Sequence, residues 1–349
     1  MFEEYKQENR TSFVAGKLED CAGIEELQRD IFPLLITQRE QWQNKIHQII
    51  HQELQCSQSE FERISGFSRQ TIIKWCNGSV PKSREHFIRI GLAAGYDIEQ
   101  MNDFLQKYGR YPELYPKTPE DCVCMYVIQK YRGRQAVAKY NELVGRLKRD
   151  TGKKVATRVP DDAKAMEEQI GSLASDEELQ QFMEENTQVF ATAYRKLNIY
   201  ITKLLEERTE KRLSNTAKMG DEQEWSSSLR QCISAIRNGK WYPTRDKVIS
   251  IGLHFGLTRE QVDRLLEMAG MRPLYAKNVF ECVVIFILKE AELRNVLEPE
   301  AEDYHMDNIC YLAKAVMERC GVPELEGFMA ELPDGEDEWA SELVETDWL

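Results

Sequence analysis

Phe67 to Leu92 reads FSRQTIIKWCNGSVPKSREHFIRIGL, and Ser228 to Leu253 repeats it as SLRQCISAIRNGKWYPTRDKVISIGL. The two align without a gap and share ten of 26 positions, among them Arg-Gln, Asn-Gly and the closing Ile-Gly-Leu. Unrelated segments of ordinary composition share about one or two. The likeness extends outward. GYDIEQMNDFLQKYGRYPELYPK is echoed by GLTREQVDRLLEMAGMRPLYAK, and DCVCMYVIQ by ECVVIFILK, at an offset of 161 residues as far as Pro112 and 160 beyond it. Upstream, an offset of 152 pairs Trp42 with Tyr194, Ile49 with Ile201 and Phe61 with Leu213. The second copy therefore carries about nine extra residues around Met219 to Ser227.

Helical spacing dominates both copies. Apolar residues recur at three- and four-residue steps, as in Ile46, Ile49, Ile50 and Leu54. Ser83 and Thr244 suit the N-caps of helices ending near Gly95 and Gly256, and Gly109 with Pro112, like Gly270 with Pro273, ends the helix that follows. No stretch alternates polar and apolar residues between hairpin turns, so the chain is expected to be all-α. Cys56 to Gly95 divides into SQSEFERIS, a break at Gly66, SRQTIIKWCNG and SREHFIRIGLAAG. A helix, a tight glycine turn and a second helix capped by Ser68 make a helix-turn-helix. Phe61, Ile64, Phe67, Ile72 and Trp75 are its expected core. Arg69, Gln70, Thr71 and Lys74 then project outward, in a place where Arg can pair two acceptors on guanine and Gln can pair adenine.

The string SQxE…GFSRQTIIKWxxG resembles the Cro and lambda-repressor type of helix-turn-helix, the xenobiotic-response-element family. Ser57, Gln58, Glu60, Gly66, Phe67, Ser68, Ile72, Trp75 and Gly78 match that family's pattern. The resemblance spans roughly Gln38 to Tyr108 and implies a five-helix domain. It implies that Gln58 holds a phosphate at the start of the first helix, and that Arg69, Gln70 and Lys74 meet bases or backbone. Glu62 departs from the small alanine usual at the helix–helix contact, and Cys76 replaces a common glutamate. The second copy keeps Ile233, Ser234, Ile236 and Gly239 and presents Arg230, Gln231, Arg237 and Lys240. Its extra residues fall in the turn, and Leu229 stands where the capping serine would be, a departure that touches docking more than fold.

Charge is distributed to match. The net charge is −13, yet Glu290 to Leu349 holds 18 Asp/Glu against 3 Lys/Arg, which leaves the first 289 residues at +2. Within them, Arg63 to Arg89 carries six basic residues against one acidic, and Arg230 to Lys247 five against one. Such local patches are the footprint of phosphate binding, although a solvated surface of Lys and Arg gives the same count. The expected contacts to double-stranded DNA are Gln58, Ser68, Arg69, Gln70, Thr71, Lys74, Lys82 and Arg84 in the first copy. In the second they are Arg230, Gln231, Ser234, Arg237, Lys240 and Arg245.

Other chemistry is weakly signalled. His47 and His51 share a helix face without a third ligand. The nine cysteines contain no CxxC and read as reduced, mostly buried thiols. Trp75, Trp241 and Tyr242 read as packing residues before they read as stacking platforms, and Asn77-Gly78 and Asn238-Gly239 as helix C-caps. No nucleophile–base set, phosphate loop or paired-carboxylate motif stands out, so no enzyme activity, cofactor or metal is expected. The polar start MFEEYKQENR resembles neither a signal nor a transit peptide, and no apolar run reaches membrane-spanning length, which points to a cytoplasmic address.

The expected division is an N-terminal helical segment (1–35), a first helix-turn-helix unit with a basic C-terminal helix (36–155), and a linker (156–190), within which the acidic stretch Asp161 to Glu185 reads as a linker or a solvated helix. A second unit (191–297) and an acidic C-terminal region (298–349) follow. The acidic region fits a solubilising end, a hook for a protein partner or a competitor with DNA for the basic patches. Two joined units form a pseudo-dimer able to grip two half-sites, as a sequence-specific transcriptional regulator would. A helical interaction scaffold or sensor, of antitoxin or defence-adaptor type, is the alternative.

Overall fold

The computed structural model of the chain describes residues 12–147, 162–190, 193–209, 225–237, 241–293 and 308–333. Every regular element among them is a helix or helical turn, with one isolated bridge between Ile36 and Asn278. The chain is all-α. It gathers into two units, one of residues 39–195 and one combining residues 1–38 with 196–349. No described helix is long and apolar enough to cross a membrane.

In the first unit, α1 (Gln38–Gln48), α2 (Gln58–Ser65), α3 (Arg69–Cys76), α4 (Arg84–Ala94) and α5 (Ile98–Phe104) surround Trp42. The Trp42 ring lies edge-on to Trp75 at 6.3 Å and to Phe87 at 5.2 Å. Helix starts follow the sequence closely: Ser57, Ser68, Ser83 and Asp97 each accept a hydrogen bond from an amide three residues on. Gly66 and Gly95 take the left-handed C-cap. Gly109 does not. α5 continues through a widened turn, Leu105–Gly109, and the left-handed residue is Arg110.

α6 (Pro119–Lys130) and α7 (Gly133–Leu147) complete the frame. The basic helix α7 is amphipathic. It buries Ala136, Val137, Tyr140, Leu143 and Val144, and packs on α2, α4 and α6. The stretch expected as a linker contains α8 (Ala163–Ser172) and α9 (Asp176–Glu185). Their Met166, Ile170, Leu179 and Phe182 enter the same core. Each helix carries one pair at helical spacing, four and three residues apart, among acidic residues, so a solvated composition concealed narrow apolar faces.

The second unit contains α10 (Arg195–Thr209), α11 (Ser227–Arg237), α12 (Arg245–His254), α13 (Arg259–Met268), α14 (Val279–Leu293) and α15 (Asn308–Cys320). α14 is buried on nearly all sides, from Val279 through Leu288. The N-terminal segment belongs to this unit, burying Val14, Leu18, Ile24, Leu27 and Ile31. Lys289 of α14 donates to the carbonyl of Cys21 at 2.6 Å. Part of the acidic region is also core: α15 packs on α12 and α14 through Ile309, Leu312, Val316 and Met317. The final stretch, 334–349, lies outside the described residues. All nine cysteines are free and, Cys56 aside, buried.

One polar arrangement occurs in both units at the paired positions. Arg84, at the start of α4, holds Asp121 through two nitrogens at 2.5 and 3.0 Å and donates to the Glu113 carbonyl. Arg245, at the start of α12, holds Glu281 at 2.7 Å twice and donates to the carbonyls of Arg272 and Pro273. The carboxylates in turn accept from the amides of Tyr115 and Tyr275. Asn102 and Asp263 accept from the amides of Leu114 and Leu274. Each arginine fastens the helix after the turn region to a loop and to the N-terminus of α6 or α14.

Two stability measurements follow. Arg84→Ala strands Asp121, which is only 1% exposed, and should cost about 3–5 kcal/mol in urea denaturation, as should Arg245→Ala. His254 is fully buried, with Nδ1 at 2.8 Å from the Ser250 carbonyl; burial depresses its pKa from 6.5 to about 4. The unfolded chain then binds the extra proton as pH falls from 6.5 towards 4. The second unit should lose roughly 3 kcal/mol across that window, and thermal melts of His254→Leu should lack that slope.

Candidate nucleic-acid interface

α3 is eight residues long and is held on three sides. At its start, Ser68 accepts from the amide of Thr71 and shares a 2.9 Å hydrogen bond with the Thr71 hydroxyl. Glu62 of α2 accepts from the amide of Arg69 at 3.3 Å. A carboxylate at the helix N-terminus favours the helix dipole, which accounts for the unusual residue there. At its end, the carbonyl of Cys76 takes Gln43 at 2.9 Å and lies 3.1 Å from His47 Nε2, while Arg39 donates to the Asn77 carbonyl. Gly78 has φ +91°, and an added Cβ would lie 2.7 Å from the Arg39 side chain. Inside, Ile72 and Trp75 are buried, and Phe67 lies edge-on to Trp75 at 4.6 Å.

The turn has its own brace. Arg89 of α4 lies 4.0 Å over the Phe67 ring and donates to the Ser65 carbonyl at 3.1 Å. His86 packs edge-on to Phe67 at 5.3 Å, and burial, with Arg89 nearby, lowers its pKa. From the sequence Arg89 counts only towards the basic patch, and His86 does not stand out. Their spacing on α4, three apart and facing the turn, was the available signal.

What remains outward on α3 is a single face: Arg69, Gln70, Ile73 and Lys74 are all exposed. Lys82 and Arg63 are exposed nearby in sequence, and no acidic side chain pairs with Arg63, Arg69, Lys74 or Lys82 among the described residues. α3 itself contains no carboxylate. The other expected contacts are occupied within the fold. Ser68 and Thr71 form the cap. Gln58 is half-buried and hydrogen-bonded to the Cys76 thiol. Arg84 belongs to the internal clamp, 12% exposed, and is corrected from contact to frame.

The second unit differs at the matching helix. α11 begins at Ser227, capped by Ser226, whose hydroxyl accepts from the Leu229 amide at 3.1 Å. The cap lost at Leu229 is thus replaced one turn earlier, and the helix gains that turn. Gln231 and Ser234 are exposed. Arg230 is half-buried and donates to the Trp225 carbonyl at 2.9 Å. Arg245 is in the clamp and, like Arg84, is corrected to a frame residue. Lys247 is ion-paired with Glu331 from the acidic region. The side chain of Arg237, together with Lys240 and Asn238-Gly239, lies outside the described residues.

The paired histidines stack at 5.6 Å, and His47 serves the α3 C-terminus. Among the described residues no group of three His, Cys, Asp or Glu side chains is placed to hold a metal ion. Trp75 and Trp241 are buried, while Tyr242 is exposed. Comparison with family models, curated proteins and solved structures finds no match to the chain.

The holds on α3 can be measured. Ser68→Ala should cost about 1 kcal/mol. Gly78→Ala should cost more, because it combines a left-handed backbone with the Arg39 contact. Urea denaturation of the two variants should rank them in that order.

Proposed function

We propose that the chain is a sequence-specific binder of double-stranded DNA, of the transcriptional-regulator class, with α3 as its reading helix. The observation that carries this is the outward face of α3. A guanidinium, an amide and an ammonium stand together on a short helix whose ends and inner face are fixed, with no carboxylate among them. Preset donors of this kind suit the guanine and adenine edges of a major groove, while Lys74, Lys82 and Arg63 suit phosphates. A cytoplasmic setting, where duplex DNA is within reach and thiols stay reduced, accompanies this reading. The second unit enters as a tethered and weaker partner in a pseudo-dimer, since Arg230, Arg245 and Lys247 are engaged within it.

A helical scaffold or sensor is the second reading. The engagement of those three cations favours it for the second unit, and Glu331 of the acidic region already masks Lys247. Salt separates the two. A duplex contact through three phosphate-facing cations should give log K a slope of about −3 against log salt, and Lys82→Ala should reduce it by about 1. The double variant Arg69→Ala/Gln70→Ala should lose discrimination between a duplex selected from random sequence and a scrambled one by at least about tenfold, at unchanged melting temperature. A flat salt response with no selected sequence would leave the scaffold reading in place.

A further inference from the structure

The outward face of α3 includes a residue that neither the fold nor the contacts proposed above use. Ile73 is 40% exposed. It follows Gln70 by three residues and Arg69 by four, which places its side chain beside theirs on the same face. Its neighbours Ile72 and Trp75 supply the buried contacts of the helix, so the core does not require an apolar group here. Helix propensity does not favour it either, because a β-branched side chain at an exposed site is poorer than Lys, Glu or Ala. At the paired position of the second unit the residue is the exposed Ser234. The apolar group is thus particular to the unit whose cations remain outward.

We infer that Ile73 is a specificity-determining residue that packs against the C5-methyl group of a thymine next to the base pair met by Gln70. The thymine methyl is the one apolar feature of the major-groove edge, and Gln pairs adenine bidentately. Neighbouring side chains on the face therefore select neighbouring A·T features. The inference rests on the DNA-binding reading of α3 and adds the base chemistry that this helix recognises.

The experiment starts from duplexes selected from random sequence by the full chain, with binding measured at fixed salt. Each thymine of the selected site is replaced in turn by deoxyuridine, which removes only the methyl group. One replacement should weaken the wild-type protein about fourfold, the worth of one buried methyl group. Ile73→Ala should bind the methylated and unmethylated sites equally while keeping the salt slope and melting temperature of the wild type. Ile73→Val should retain most of the discrimination. If the wild type binds a selected site but no deoxyuridine replacement matters, or if Ile73→Ala stays equally sensitive to it, the role of Ile73 is overturned and the DNA-binding reading survives. If no sequence is selected at all, both fall together.

Discussion

Eight residues are too few for a helix to sustain itself in water, because the cost of the first turn is recovered only over a dozen or more. The outward face of α3 therefore exists through what grips the helix. Ser68 and Glu62 satisfy amides at its start; Gln43, His47 and Arg39 engage carbonyls at its end; Ile72 and Trp75 fix its inner side. Gln43 and His47 lie one turn apart on α1, whose other face carries Trp42 into the core. A single helix thus sets both the depth of α3 and its end point. The Arg89–Phe67 stack then fixes the turn that aims it.

The two units share their frame more than their presenting surface. A buried arginine is costly unless its fork is met by a carboxylate and carbonyls, and both Arg84 and Arg245 meet those terms. Asp121 and Glu281 differ by one methylene, yet both also accept a backbone amide from the preceding loop. Such a cluster resists piecemeal change, because losing one member strands the rest. The matching helices carry no such restraint on their exposed sides. There the second unit has a longer N-terminus and an arginine folded onto the Trp225 carbonyl, and on α12 Lys247 is neutralised by Glu331.

Much of this was legible in the sequence, and the reason differs by element. Ser68, Ser83, Gly66 and Gly95 announce themselves because capping is a local bargain between a side chain and amides a few residues away. The inward set Phe61, Phe67, Ile72 and Trp75 follows from helical period alone. Arg84 and Arg245 were misread as DNA contacts because charge counts carry no information on partners 36 or 37 residues away. A sharper reader had one clue: DCVCMYVIQ and ECVVIFILK each open an apolar run on an acidic residue, and a carboxylate buried with such a run needs paired donors. The linker and acidic-region expectations missed packing of a similar kind. Composition averaged over 25 residues hides the apolar pairs that hold α8 and α9, and the apolar stripe of α15 is hidden likewise.

The distribution of cations also bears on how two such units would share a duplex. Phosphate contacts add to affinity roughly one by one, since each releases condensed counterions. A cation already paired in a half-buried site brings less, because its partner must first be displaced. Lys247 with Glu331, each about one-fifth to one-quarter exposed, is in that position, whereas Lys74 and Lys82 face solvent. On the DNA-binding reading, the first unit supplies most of the recognition, and the second gains its contact mainly from being tethered nearby. Sequence preference in the pair would then be lopsided by construction, strongest over the bases met by Arg69, Gln70 and Ile73. On that reading a target need not be a palindrome, because among the described residues the exposed chemistry that the two helices share is Gln70 with Gln231, while Arg69, Ile73 and Lys74 have no exposed counterpart of their own kind.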